Sequence, residues 1–200
     1  DKTARFSLTL PPGRQFIDPN LVAGLRSALI PGIGPAGPVF VGALFASVPQ
    51  GDVSGISLAA RTATSGGGGK LGLFYSAIPA GGESTTSAWA YGLQQNAENR
   101  TNLAIVNTGL IDRSTDVFTI ELYDGGTGAK VATVGGISLT ADAWMQIGTI
   151  LAQYASGTTQ GYAKVTRTSG TNPFIVYAVI NDGGQPGERS GDGAFISSSP

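Results

Sequence analysis

The chain has 200 residues, of which 41% are apolar and only 12% charged, with a formal net charge of −1. That apolar share supports a packed core, whereas the scarcity and scatter of Lys and Arg argue against nucleic-acid binding, which needs clustered cations. Cysteine and histidine are both absent, which excludes disulfide scaffolds, thiol nucleophiles and thiolate metal sites, and removes the commonest general base.

No apolar run reaches the roughly 18 residues of a membrane span. Glycine occurs 31 times, about twice its average usage of roughly 7%, so short strands separated by many turns are expected. A start at Asp1 fits either removal of a leader peptide or a fragment boundary.

Residues 5–17 (RFSLTLPPGRQFI) read as a strand that turns at Pro-Pro-Gly. Asp18-Pro19 then has the form of a helix N-cap followed by proline at the first helical position, with Leu21, Val22, Leu25 and Leu29 on one face. A Pro/Gly loop at 31–38 and a strand at 39–48 follow as an insertion.

Residues 55–82 and 161–184 form the strongest internal repeat. Each has a strand ending in Arg-Thr, a polar turn, an apolar strand with a central tyrosine and a Gly-Gly loop. Arg61 thereby corresponds to Arg167, and Tyr75 to Tyr177. The tetraglycine Gly66–Gly69 lacks the Lys-Ser/Thr of a phosphate loop and reads as a hairpin tip. Residues 88–91 are expected to close the first unit, and the polar stretch 92–100 to connect it to the second.

In the second unit, strands are expected at 102–107 and at 116–123. The latter is DVFTIELY, whose period-2 pattern marks a half-buried strand. Asp124-Gly125-Gly126 leads to a hairpin partner at 130–134. Residues 134–147 repeat the Ser-Leu-Thr pattern of 5–17, followed by a short helix with Ile147, Ile150, Leu151 and Tyr154 on one side. Residues 194–197 form the last strand. The expected fold is therefore all-β, with two tandem Ig-like or jelly-roll-type sandwich units carrying one short helix each. The units are residues 1–92, which lack the opening strands, and 93–200, which have them.

Candidate chemistry is sparse, and no enzyme activity is expected. No spacing brings two carboxylates together as a catalytic pair. Asp182, Glu188 and Asp192 in the loop NDGGQPGERSGDG are candidate calcium ligands. Their spacing departs from the helical calcium-loop pattern, which favours a polar hairpin loop instead. Trp89, Tyr91, Trp144, Tyr154, Tyr162 and Tyr177 are candidates for a sugar-stacking platform. The competing reading makes them core residues or cross-strand pairs. Arg61 and Arg167 read as structural, pairing a carboxylate or capping loop carbonyls. Asn99-Arg100-Thr101 matches a short N-glycosylation acceptor.

Taken together, SLTLPPGRQF, the Arg-Thr strand end, YGLQQNAENRTNLAIVNTG and FIVYAVINDGGQPGERSGDG resemble the tandem β-sandwich repeat regions of large secreted proteins from Acidobacteria and similar environmental bacteria. The resemblance covers most of the chain. It implies secretion and a surface or structural role, carries over no catalytic residue, and implies further strands before a unit like the first. The leading expectation is an extracellular structural protein, a subunit of a fibre or filament assembled by strand complementation between copies. The alternatives are an adhesion or carbohydrate-binding module with a surface glycan as partner, and an accessory domain of a secreted hydrolase. No resident cofactor is expected.

Overall fold

The computed structural model describes residues 3–33, 41–48, 55–66, 69–186, 188–190 and 193–198. They divide into two units, Asp1–Gly42 and Ala43–Pro200.

The described part of the first unit holds one helix, α1 (Leu21–Ser27). Its N-cap is Asn20, whose side chain accepts from the Ala23 amide at 3.2 Å. Asp18 instead accepts from the Asn20 amide at 2.8 Å, so the cap lies two residues later than Asp18-Pro19 suggests. Both residues have short oxygen-bearing side chains, and the Asp18 turn positions Asn20 to cap. At the other end the Leu29 amide donates to Arg26 and the Ile30 amide to Leu25, each at 3.0 Å. This is a Schellman closure, with Leu29 in the left-handed position that glycine usually fills. No strand forms at 5–17 or at 41–48. Phe6, Leu8, Leu10, Phe16 and Ile17, and likewise Val41, Leu44, Phe45 and Val48, are exposed. Alternation selects a face but supplies no partner, and a lone extended segment gains no ladder bonds. Part of the expected loop at 31–38 and the start of the 39–48 strand lie outside the described residues.

The second unit begins with four short strands, β1 (Ala59–Arg61), β2 (Thr64–Gly66), β3 (Gly69–Leu71) and β4 (Phe74–Ser76). β1 pairs with β4 and β2 with β3, one ladder inside the other. The centre of the tetraglycine, residues 67 and 68, lies outside the described residues.

Eight longer strands follow, interrupted by one helix. They are β5 (Ser87–Gln94), β6 (Asn99–Asn107), β7 (Asp116–Asp124), β8 (Lys130–Leu139) and β9 (Trp144–Ile147), then α2 (Ile150–Tyr154), β10 (Gln160–Ser169), β11 (Phe174–Asp182) and β12 (Gly193–Ser197). They form two antiparallel sheets, β5-β10-β7-β8 and β12-β11-β6-β9, around one shared core. Strict alternation on β7 sends Phe118, Ile120 and Leu122 inward, against Leu103, Ile105, Phe174 and Val176 of the other sheet. The Phe118 and Phe174 rings meet at 5.1 Å. Ile150 and Leu151 of α2 are buried in the same core.

Three pairings differ from local reading. β5, placed by sequence at the end of the first unit, hydrogen-bonds along β10. β8 runs through to Leu139 and absorbs the Ser-Leu-Thr element. The two repeat segments also pair differently, because 55–82 folds back on itself whereas β10 and β11 lie in opposite sheets.

The turn from β10 to β11 is held by buried polar groups. Asn172 Oδ1 accepts from the amides of Ile111 and Asp112 at 2.9 and 3.0 Å. Buried Asp116 accepts from the Thr171 amide at 3.3 Å and faces the Arg167 guanidinium at 4.0 Å. Arg167 also donates to the Asn172 carbonyl, whereas Arg61 donates to the Lys70 carbonyl at 3.4 Å. Asp112 accepts from Ser114, Thr171 and Asn172, led by Ser114, and these bonds lower its pKa from 3.8 to about 2.

Two outcomes follow from this turn. Gly170 and Gly157 both have positive φ, +98° and +90°, but a Cβ on Gly170 would lie 2.0 Å from Asp116 Oδ1 while Gly157 faces open space. In urea denaturation, Gly157→Ala should cost about 1 kcal/mol and Gly170→Ala about 3 kcal/mol or more. The depressed Asp112 pKa means its stabilisation is fully present above the unfolded value of 3.8 and is lost as pH falls towards about 2. Asp112→Asn should therefore flatten the fall in melting temperature over that window relative to the parent chain.

Candidate functional site

Among the described residues, the outer face of the β5-β10-β7 sheet gathers several of the candidate side chains. At 88, 90 and 163 small residues point inward beside large outward ones, while Leu93, Val165 and the β7 residues Phe118, Ile120 and Leu122 fill the core. Ala88, Ala90 and Ala163 are fully buried, while their neighbours Trp89, Tyr91 and Tyr162 lie on the solvent side. Tyr123 joins them from β7, directly opposite Tyr162. The four rings form a continuous strip. Tyr123 and Tyr162 stack at 4.9 Å with planes 3° apart, Trp89 and Tyr91 stack at 6.0 Å and 9°, and Tyr91 meets Tyr162 at 5.5 Å. The Lys164 ammonium lies 5.3 Å from the centre of a Trp89 ring.

The charges beside the strip largely cancel. Lys130 donates to Glu121 at 2.8 Å, which holds the Glu121 carboxyl below its ordinary range and raises Lys130. Tyr123 donates to Glu121 at 3.2 Å, and desolvation followed by the Glu121 charge pushes the Tyr123 hydroxyl up. The Tyr123 hydroxyl therefore stays neutral through neutral pH.

One end of the strip opens into a hollow. Between the pairs Gly161↔Leu93 and Ala163↔Ala90, β10 contributes only Tyr162 where β5 contributes both Tyr91 and Gly92. This is a β-bulge, and Gly92 adopts φ +74° within it. The hollow is about 290 Å³, bounded by Tyr91, Gly92, Gln94, Gly125, Gln160 and Tyr162. Its wall tolerates no larger residue at Gly161, where a Cβ would sit 2.5 Å from the Tyr123 carbonyl oxygen.

The six candidate aromatics are thus divided. Trp89, Tyr91 and Tyr162 are brought together, and Tyr123, missing from that set, completes them. Trp144 and Tyr177 belong to the other sheet, where the indole N–H donates to the Tyr177 hydroxyl at 2.7 Å. Tyr177 packs there against Phe195 and Tyr75 at 5.3 and 6.1 Å, so the two tyrosines matched by the repeat touch each other. Tyr154, at the end of α2, is exposed and apart from both clusters.

The calcium-candidate loop is closed by protein groups. Asp182 accepts from the Ser190 hydroxyl at 2.7 Å, the first cause of its lowered pKa, and lies 3.6 Å from Arg189. Glu188 accepts from the Gln185 amide at 2.8 Å. Asp192 lies outside the described residues. The buried Arg100 guanidinium donates to the carbonyls of Asp182, Gly183 and Gln185 at 2.9, 2.8 and 3.3 Å. A cation thus already faces the backbone oxygens that a hard metal ion would use. Among the described residues no group of three or more acidic side chains converges. In the glycosylation-type motif, the Thr101 hydroxyl is buried and donates to the Gln94 carbonyl at 3.0 Å.

A second concavity, about 780 Å³, borders β12, the terminal strand of its sheet; Leu73, Phe74, Ile78, Phe195 and Ser197 are among its lining residues. No family model matches the chain, and no curated protein or solved structure is significantly similar to it.

Tyr162 touches three of the strip's rings. Tyr162→Ala should therefore remove much of the near-UV circular dichroism while leaving the far-UV spectrum intact. The expected cost in stability is about 1–2 kcal/mol, from the lost ring contacts.

Proposed function

We propose that this chain is a non-catalytic, secreted structural protein of the cell surface that associates with further copies by strand complementation. The observation that carries this reading is the set of apolar side chains arranged for strands but lacking strand pairing. Phe6, Leu8 and Leu10 alternate in RFSLTL, are all exposed and lie in no ladder. Each buried large apolar side chain is worth roughly 1.5–3 kcal/mol, so three of them pairing elsewhere is a substantial driving force.

An acceptor of suitable form is present in the same chain. β12 ends its sheet, and the concavity beside it is lined by Leu73, Phe74, Ile78 and Phe195. An added strand there would gain main-chain hydrogen bonds from the edge and pockets for alternate side chains. In this reading the chain contains two related sandwich units in tandem, and the first is short of its opening strands. The resemblance to secreted bacterial repeat regions and the low charge, which permits close packing of copies, support the same conclusion. Head-to-tail addition whose rotation does not close into a ring yields a filament.

The test is light scattering and negative-stain electron microscopy across a concentration series. Concentration-dependent oligomers or filaments are expected, and Phe6→Asp with Leu8→Asp should return the chain to monomer. A parent chain that stays monomeric at every concentration overturns the proposal.

A further inference from the structure

We propose that the hollow between Tyr91 and Tyr162, together with the adjoining aromatic strip, binds a neutral glycan built of pyranose rings. The first reason is where the sequence spends its large residues. At 88, 90 and 163 the core takes alanine, beside Leu93 and Val165, while Trp89, Tyr91 and Tyr162 lie on the solvent side. Sheet stability alone asks for large side chains inside, and outward positions are well served by threonine. Four aromatic rings gathered on the solvent side are an apolar patch of the kind that marks a binding surface.

The second reason is the bulge. Tyr91-Gly92 opposite Tyr162 interrupts an otherwise regular ladder next to the strip, and bulges of this kind re-aim a side chain. The result is a concave end to a flat surface. At about 290 Å³ it lies at the small end of ligand pockets, which run from roughly 300 to 1,000 Å³. One sugar ring fits that scale, and the strip extends beyond it at ring spacings of 4.9 to 6.0 Å, so further rings can lie along the sheet.

The third reason is the chemistry of the lining. The Gln94 and Gln160 side chains and the backbone at Gly92 offer neutral donors and acceptors suited to hydroxyl groups, while the Gly125 N–H is already given to the Gln160 carbonyl at 3.0 Å. The aromatic faces suit the C–H faces of a pyranose. Glu121 is neutralised by Lys130, which leaves Lys164, held against Trp89, as the cation of the strip. A single-stranded nucleic acid would also stack on such rings, but it requires a cationic groove along its backbone. A proline-rich peptide would use the aromatics but has little use for an amide-lined hollow.

The glycan site draws on residues of β5, β10 and β7, and the proposed assembly on the edge of β12 and the concavity beside it. The test is titration of the full chain with cellohexaose, xylohexaose, mannohexaose and chitohexaose. Tryptophan fluorescence and calorimetry are the readouts, and a hexauronate and a proline-rich peptide serve as comparison probes. Saturable binding of at least one neutral hexamer is expected. Tyr91→Ala and Gln94→Ala should each weaken it about tenfold or more, whereas Trp144→Ala on the opposite sheet should leave it unchanged. The double variant Phe6→Asp/Leu8→Asp should bind as the parent does, whatever its oligomeric state. Melting curves confirm that each variant is folded. No saturable response to any neutral hexamer, binding indifferent to both Tyr91 and Gln94, or preference for the peptide or the hexauronate overturns the proposal.

Discussion

The fold depends on getting the chain from β10 in one sheet to β11 in the other without leaving buried polar groups unsatisfied. A sandwich made this way must turn its backbone at the rim of the core, where water is scarce. The solution is local and dense. Asn172 takes two amides from the 107–116 connection, Thr108 donates to the Pro173 carbonyl at 2.6 Å, and Asn107 donates to the Leu139 carbonyl at 2.9 Å. Asp116 is fully buried, and its Oδ2 lacks a hydrogen bond. The guanidinium at 4.0 Å compensates the carboxylate together with the hydrogen bonds that Oδ1 accepts from Thr171, Ser114 and Asn172. Gly170 must be glycine because Asp116 occupies the space a Cβ would take. With the turn fixed, Phe118 and Phe174 come into contact from opposite sheets and the core can close around them.

This arrangement explains why part of the fold was readable in the residues and part was not. The alternation of DVFTIELY made β7 visible, and Asp124-Gly125-Gly126 marked its hairpin with β8. Those features are local. The pairing of β5 with β10 joins residues about 70 apart, and alternation says which face is buried without naming the neighbour. Ala88–Tyr91 therefore looked like the end of whatever preceded it. The two repeat segments pair differently for a related reason. Similar strand sequences are compatible with a hairpin or with a crossover. Between those outcomes the turn decides, through Asn172 and Gly170 in one case and a glycine-rich tip in the other.

The aromatic surface was half legible. Trp89, Tyr91 and Tyr162 stand out in a strand pattern, but whether they face core or solvent depends on the residues beside them. Alanine at 88, 90 and 163 is the signal that the small side points inward. Tyr123 is harder to read, because it sits on a strand whose other face supplies the large core residues. Gly92, within Tyr-Gly-Leu, carried the bulge signal, since an isolated glycine inside a strand pattern marks an irregular ladder. Arg100 gave no local cue at all, because the carbonyls it binds lie more than 80 residues away.

The low charge of the chain ties these features together. With few ions available, surface specificity has to come from ring faces, amides, hydroxyls and unpaired backbone, all of which are short-ranged and indifferent to salt. Several of the charges among the described residues serve structure. Arg100 organises the loop after β11, Arg167 compensates Asp116, and Glu121 with Lys130 neutralises the flank of the aromatic strip. A surface freed from charge can pack closely against a copy of itself at a strand edge. It can also meet an uncharged polymer along a sheet face, because neither contact has to displace a tightly held counterion layer. The two proposed contacts draw on different residues, the strand edge at β12 and the rings of β5, β10 and β7.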